Sequence, residues 1–301
     1  MNYLNKTKFN FPKNCKKLKI DIGTGPTAPN AAFWINSCKN TAVLLFEADH
    51  KNYKNLITGK DTDFYNDEYK LVGLSKIILN GKIVKKKINA ARIKSFNFAV
   101  SNYTGNKKFY YCNESLKGNS SLLKPKRKLG YEFLKSKVVR VEKLKKILKK
   151  INFKQFKYIS FLKIDTQGND LNVLKSAGIY LNKVLFIQTE YCTEGQYYGE
   201  INQKNQLKSF ENFLKKYNFR LYYFTKVDAY FVNLNFYKYI IKNNITDECI
   251  EFKNGLFRKS LIFNRPIKLL FKIKIIFFLR QFQLFNFIFY KVFKINFKKF
   301  L

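Results

Sequence analysis

Acid is scarce in this chain: its 301 residues hold 20 Asp and Glu against 58 Lys and Arg, a formal charge of +38, and no acid lies beyond Glu251. Histidine is scarcer still. His50 stands alone, which leaves no set of histidines to build a metal centre; in EADHKNYKNL it reads as a loop or helix-start residue rather than a base. The five cysteines, Cys15, Cys38, Cys112, Cys192 and Cys249, are odd in number and form no C-x-x-C pair. That argues against a disulfide framework or a zinc site and for a reducing compartment. No spacing of His and carboxylates calls for a metal, and none is assigned; Asp165 and Glu190 are the carboxylates that could share one. No apolar run leads the chain, since MNYLNKTKFNFPKN is polar, so no secretory signal is expected.

Arginine is short as well. Only seven of the basic residues are Arg (Arg92, Arg127, Arg140, Arg220, Arg258, Arg265 and Arg280), whereas bidentate phosphate and base contacts lean on the guanidinium fork. An RNA-binding or RNA-methylating role through the positive surface is therefore the alternative reading, and solvated lysine faces the favoured one.

What is present is enough apolar residue, 46%, to bury one sizeable α/β core with an appendage. Strand-like stretches alternate with helical links: KLKIDIG, TAVLLFEAD, FNFAVSN, KYISFLKIDTQG, KVLFIQTEY, FRLYYF and AYFVNL. That alternation predicts a mostly parallel sheet with covered faces. The last two strands are joined by only TKVD, too short for a parallel crossover, so an antiparallel hairpin closes one edge. The expected organisation is an N-terminal arm over 1–14, a catalytic domain over 15–237 and a basic, aromatic extension over 238–301.

Within KLKIDIGTGPTAPNAAFWI, a buried strand stops at Gly23 and Gly25, which let the backbone turn and a ligand approach closely. Residues from Pro29 onward can start a helix whose free N–H groups face that ligand. TAVLLFEAD places Glu47 at the end of the next strand, where a carboxylate can accept both hydroxyls of a ribose, with Asp49 a weaker candidate. A pyrophosphate would call for a third glycine in G-x-G-x-x-G, but that position is Ala28. The pattern suits a small cationic nucleoside, with Asp21 supplying negative charge beneath the turn.

In YISFLKIDTQGNDLNVLKSAG, an apolar strand ends at Asp165, Gly168 permits a turn, and Asn169 or Asp170 can cap a helix whose apolar face is Leu171, Leu174 and Ala177. Asp165 then projects into the same edge as Gly23 and Glu47; the competing reading is a turn-capping aspartate. Lys163 is expected on the opposite face from Asp165, in a structural role.

Taken in order, IDIGTGPTAPN, FEADHKNYKNL, FAVSNYTGNKKFY, FLKIDTQGNDLNVLKSAG and DAYFVNL resemble the FkbM family of S-adenosylmethionine-dependent methyltransferases. The resemblance implies a class I methyltransferase fold, Rossmann-like, with a seven-stranded sheet parallel but for one strand. By position it puts Asp21, Gly23, Thr24 and Gly25 along the methionine part of S-adenosylmethionine, Glu47 on the ribose, Ala99 and Ser101 beside the adenine, and Asp165 near the methyl. Asp165 is then the first candidate base and Glu190 the second. Two positions depart from the family pattern: Thr27 in the glycine turn, and Gln167 where an acid is usual. The implied reaction is O-methylation of a sugar hydroxyl in a glycan or lipid-linked glycan. The segments 58–94 and 103–152 are expected to build the acceptor pocket, with Tyr110, Tyr111, Tyr197 and Tyr198 available to stack on sugar rings.

The stretch PIKLLFKIKIIFFLRQFQLFNFIFYKVFKINFKKFL is dense in Phe, Ile and Leu, yet Lys272, Lys274, Arg280 and Lys291 interrupt every window long enough to span a bilayer. Such a pattern suits a segment lying among the headgroups of an anionic membrane, on the inner face of a cytoplasmic protein's neighbouring bilayer; a helix packed on the domain or at a dimer contact is the competing reading. Deleting residues 266–301 is expected to release the protein from anionic vesicles. Equal sedimentation with and without the segment would remove the membrane reading.

Overall fold

The computed structural model describes residues 8–60, 67–112, 119–124, 133–191 and 206–236, together with 239 and 242. Its centre is built from strands that are buried on both faces. β1 (Lys17–Ile22) and β2 (Thr41–Phe46) are buried almost throughout. The small sheet β3 (Tyr69–Val72), β4 (Lys76–Leu79) and β5 (Lys82–Lys85) follows, and then β6 (Ile93–Phe96) returns to the centre. A second small sheet holds β7 (Ala99–Ser101), β8 (Gly105–Cys112) and β9 (Phe133–Lys143). β10 (Ile159–Ile164), β11 (Val184–Glu190), β12 (Phe219–Phe224) and β13 (Asp228–Asn233) complete the set.

The central sheet runs β12-β13-β11-β10-β1-β2-β6. β1 pairs in parallel with β2 and β10, β10 with β11, and β2 with β6, while β13 is antiparallel to both β11 and β12. The mostly parallel sheet and its closing hairpin are thus as the sequence reading expects. Of the expected strands, FNFAVSN is the one the structure corrects. The Asn97 side chain donates to the Glu47 carbonyl at 2.8 Å and the Ala48 carbonyl at 3.3 Å, so the chain leaves the sheet there. The sheet strand lies upstream as β6, and Ala99–Ser101 runs instead beside β9.

Helices cover both faces. On one, Leu18, Ile20, Ile22, Leu162, Ile164 and Ile187 pack in a common core with residues of α3 (Leu144–Leu148), α4 (Asp170–Ala177) and α5 (Leu207–Lys215). On the other, α1 (Pro29–Ser37) sets Trp34 edge-on to Phe161 at 5.5 Å between centroids. α2 (His50–Thr58) begins at His50, as expected, with Asp49 as its N-cap accepting from the Lys51 and Asn52 amides.

β3 to β5, and β8 with β9, fall in the segments expected to build the acceptor pocket, whereas β7 precedes the second of them. β3 to β5 lie against α1, with Phe33 and Tyr69 in edge contact at 5.2 Å. In the described part of the expected arm, Phe9 is buried beside Phe96, with ring centroids 5.5 Å apart. Among the described residues no helix is long and apolar enough to cross a membrane. The extension expected over 238–301 lies, but for 239 and 242, outside the described residues, as do Tyr197 and Tyr198.

Asn97 holds the point where the chain changes sheets, so Asn97→Ala is expected to lower unfolding free energy in urea by about 1 kcal/mol. An unmoved midpoint would show that the break after Phe96 does not depend on that side chain.

Candidate active site

β1 ends against its two parallel neighbours, and the turn that follows is built to fit between them. The Gly23 amide donates to the Phe46 carbonyl at 2.9 Å, and the Asp165 amide donates to the Ile22 carbonyl at 2.9 Å. Gly23 has φ +79°, and a β-carbon there would lie 1.8 Å from the Asp165 carbonyl oxygen. Only glycine fits. Gly25, at φ +65°, is different: nothing lies within 4 Å of where its β-carbon would be. It borders open space.

Glu47 is held from three sides by backbone. One carboxylate oxygen accepts from the Gly25 amide at 2.8 Å and the other from the Asp49 amide at 2.8 Å. Its own amide donates to the Phe96 carbonyl at 3.1 Å. The carboxyl is nonetheless pushed up to about 8, because burial outweighs the two amide donors. Thr24 is buried and turns its hydroxyl to the Gly25 carbonyl at 3.1 Å. Thr27 hydrogen-bonds Asp67, and Ala28 turns through φ +41° to open α1 at Pro29.

Beneath the turn the structure overturns the placement of Lys163. Residues two apart on a strand share a face, so Lys163 and Asp165 point the same way. The Lys163 ammonium sits 3.3 Å from Asp21, 3.3 Å from Asp165 and 3.2 Å from the Gly23 carbonyl, which occupies all three of its donors. Burial works against its charge, but the Asp21 and Asp165 carboxylates outweigh it and hold the ammonium above its ordinary range. Asp21 itself is fully buried. A lysine inside the apolar run ISFLKI was the signal that could have found this group.

From Asp165 the polar chain continues outward. The Gln167 side-chain amide donates to Asp165 at 2.8 Å and to Glu190 at 3.1 Å. Asp165 does not cap the following turn. Asp170 does so, accepting from the Thr166 amide at 3.3 Å and the Thr166 hydroxyl at 3.0 Å. Burial first, and the Asp165 charge second, push Asp170 up to about 7. Glu190 is pushed up to about 9 by burial and then by the charges of Asp165, Asp170 and Asp228.

The other expected residues border this edge. Ala99 is buried in a small cluster with Phe109, Leu122 and Val141, against which Ala48 and Tyr111 pack. Ser101 is buried and donates to the Asn169 side chain at 3.2 Å. Tyr111, packed against that cluster, is pushed up to about 12 by burial and by the charges of Asp49 and Glu47. Tyr110 exchanges backbone hydrogen bonds with Ser121. His50 contacts Asn97 at 2.9 Å. Among the described residues no group of three His, Cys, Asp or Glu could hold a metal ion.

Open space at Gly25, a clamped acid beside it and further acids along the strand ends fit a nucleoside that carries hydroxyls and positive charge. The family model described as methyltransferase FkbM domain matches residues 27–221. That span includes Glu47, Asp165 and Glu190 and begins just after the glycine turn. No curated protein and no solved structure matches.

The raised carboxyls set a pH dependence. Glu47 moves from 4.5 to about 8 and Glu190 from 4.5 to about 9, so the folded protein holds protons that the unfolded chain releases. The stability they contribute is complete below pH 4.5 and lost as pH rises to about 9. Urea unfolding is expected to show stability falling by about 1 kcal/mol per pH unit or more between pH 6 and 8, with Glu47→Gln flattening the slope. A wild-type curve flat across that interval would contradict the burial of these acids in neutral form.

Proposed function

Because this chain belongs to the FkbM methyltransferase family, we propose that it methylates a sugar hydroxyl, in a glycan or lipid-linked glycan, using S-adenosylmethionine. The observation that carries the cofactor reading is the pairing of Glu47 with the Gly25 amide at 2.8 Å beside open space. Both Glu47 oxygens already take a backbone donor, and each keeps a second lone pair for a ribose hydroxyl. Asp21, Gly23, Thr24 and Gly25 shape the methionine end, and Ala99 and Ser101 the adenine end. The bound cofactor would supply an electrophilic methyl on sulfur and depart as the neutral thioether.

The residues of this chain have two tasks toward the acceptor: to align its oxygen, and to receive its proton. Asp165 suits both. Its side chain is 37% exposed, and Lys163 and Gln167 fix its two oxygens. Glu190 is the second candidate, joined to Asp165 through one amide. A hydroxyl acceptor fits a site in which the proton must be taken up by a carboxylate. The basic, aromatic stretch over 266–301 supports an acceptor held at an anionic membrane surface.

Calorimetric titration of S-adenosylmethionine into the full-length protein is expected to show one site. Glu47→Ala should weaken it about 10-fold or more, through the loss of its hydrogen bonds to the ribose hydroxyls. A folded wild-type protein that takes up no heat would end the cofactor reading.

A further inference from the structure

Gln167 is the residue in the site whose type runs against its surroundings. Asp165 and Glu190 accept from its side chain, Asp170 and Asp228 are further acids acting on Glu190, and Lys163 is the cation beside Asp165. Its backbone is left-handed at φ +53°, a conformation that a residue with a β-carbon adopts only when its surroundings impose it. Both ends of the residue show what imposes it. The Ser121 hydroxyl donates to the Gln167 carbonyl at 2.7 Å, and Ser121 is in turn fixed by paired backbone hydrogen bonds to Tyr110 on β8. At the other end one nitrogen, Nε2, reaches Asp165 and Glu190. Its two protons serve two carboxyl groups.

We propose that Gln167 is a positioning residue that separates the two candidate bases, donating one hydrogen bond to each so that no proton passes between Asp165 and Glu190. An amide NH2 gives hydrogen bonds and cannot take up a proton, whereas a carboxyl in the same place would share one with both neighbours. Asp165, held from below by Lys163, is then the group left to receive the acceptor's proton. Glu190 remains an uncharged wall of the same pocket. This inference rests on the methyltransferase reading for its consequence but not for its geometry.

The groups facing Glu190 come from four elements: Asp165 and Lys163 at the end of β10, Asp170 on α4, Asp228 on β13, and Gln167 in the turn between β10 and α4. With all of these unchanged, only the group at 167 varies in the test. Full-length protein labelled with 13C at glutamate carboxyls is titrated without cofactor, the Glu190 signal being assigned with Glu190→Gln. Gln167→Met, which keeps the bulk and removes the donor, is expected to raise the Glu190 midpoint, and Gln167→Glu to raise it further, by about one pH unit or more over wild type. S-adenosylhomocysteine should bind wild type and both variants with affinities within about twofold, because the residues assigned to the nucleoside are untouched.

Identical Glu190 midpoints in the three proteins would overturn the proposal. Should neither variant fold, the wild-type Gln167 side-chain protons decide: protection from exchange supports the clamp, and exchange as rapid as that of an exposed glutamine defeats it. Absence of S-adenosylhomocysteine binding by wild type, with the Glu190 shifts as expected, would leave the clamp standing and remove the methyltransferase assignment of the site.

Discussion

The buried ammonium of Lys163 is the contact on which the site depends. It joins the Asp21 carboxylate on β1, the Asp165 carboxylate beyond β10 and the Gly23 carbonyl in the turn. Two stretches of chain that must lie together for the strand-end turn to exist, 21–23 and 163–165, are thereby tied through one atom. Asp21, fully buried, could not be tolerated there without the ammonium, since removing one partner of a buried ion pair costs about 3–5 kcal/mol. The same contact makes Gly23 obligatory. With β1 and β10 drawn together at their ends, the Asp165 carbonyl occupies the volume a β-carbon would need.

Charge is distributed accordingly. Of 20 acids in a chain of formal charge +38, Asp21, Glu47, Asp165, Asp170, Glu190 and Asp228 all lie in or beside the strand-end site. The lysines of the β8 and β9 hairpin, Lys107, Lys108, Lys135 and Lys137, are exposed to solvent. Those lysines face water, where their hydration costs nothing, while the acids gather at the strand ends around the buried Lys163. Net charge taken over the whole chain therefore says little about this edge, whose local sign is the reverse.

The legible features were those in which pattern and burial coincide. β1, β2, β10 and β11 announce themselves as apolar runs ending in Gly or acid, and the brevity of TKVD sufficed for the antiparallel edge. Gly23, Glu47 and Asp165 were legible for the same reason, each standing where an apolar run stops. Two kinds of feature escaped. Strands such as Lys82–Lys85 and most of β9 are exposed, so no buried face imposes the alternation that marks a strand. Lys163 escaped through a slip of parity: residues at i and i+2 share a face, and the alternation that seemed to send it away from Asp165 is what brings the two together. The break in FNFAVSN was hidden because Asn97 acts through a contact with Glu47 and Ala48, some 50 positions earlier, which local pattern does not register.

The two halves of the site are held by different means, and this bears on how each can change. On the Glu47 side the constraints come from backbone: Gly25 and Asp49 amides grip the carboxylate, and the Phe96 carbonyl fixes the residue's own amide. Substituting neighbours there leaves those donors in place, so the geometry follows from the sheet itself. On the Asp165 side the constraints come from side chains, with Lys163 and Gln167 setting one oxygen each and Gln167 passing the contact on to Glu190. A substitution at Gln167, in the turn between β10 and α4, alters charge and proton sharing without touching a strand. The Glu47 side is therefore fixed by the sheet itself, and the Asp165 side can be retuned one residue at a time, Gln167 being the residue through which its two carboxyl groups meet.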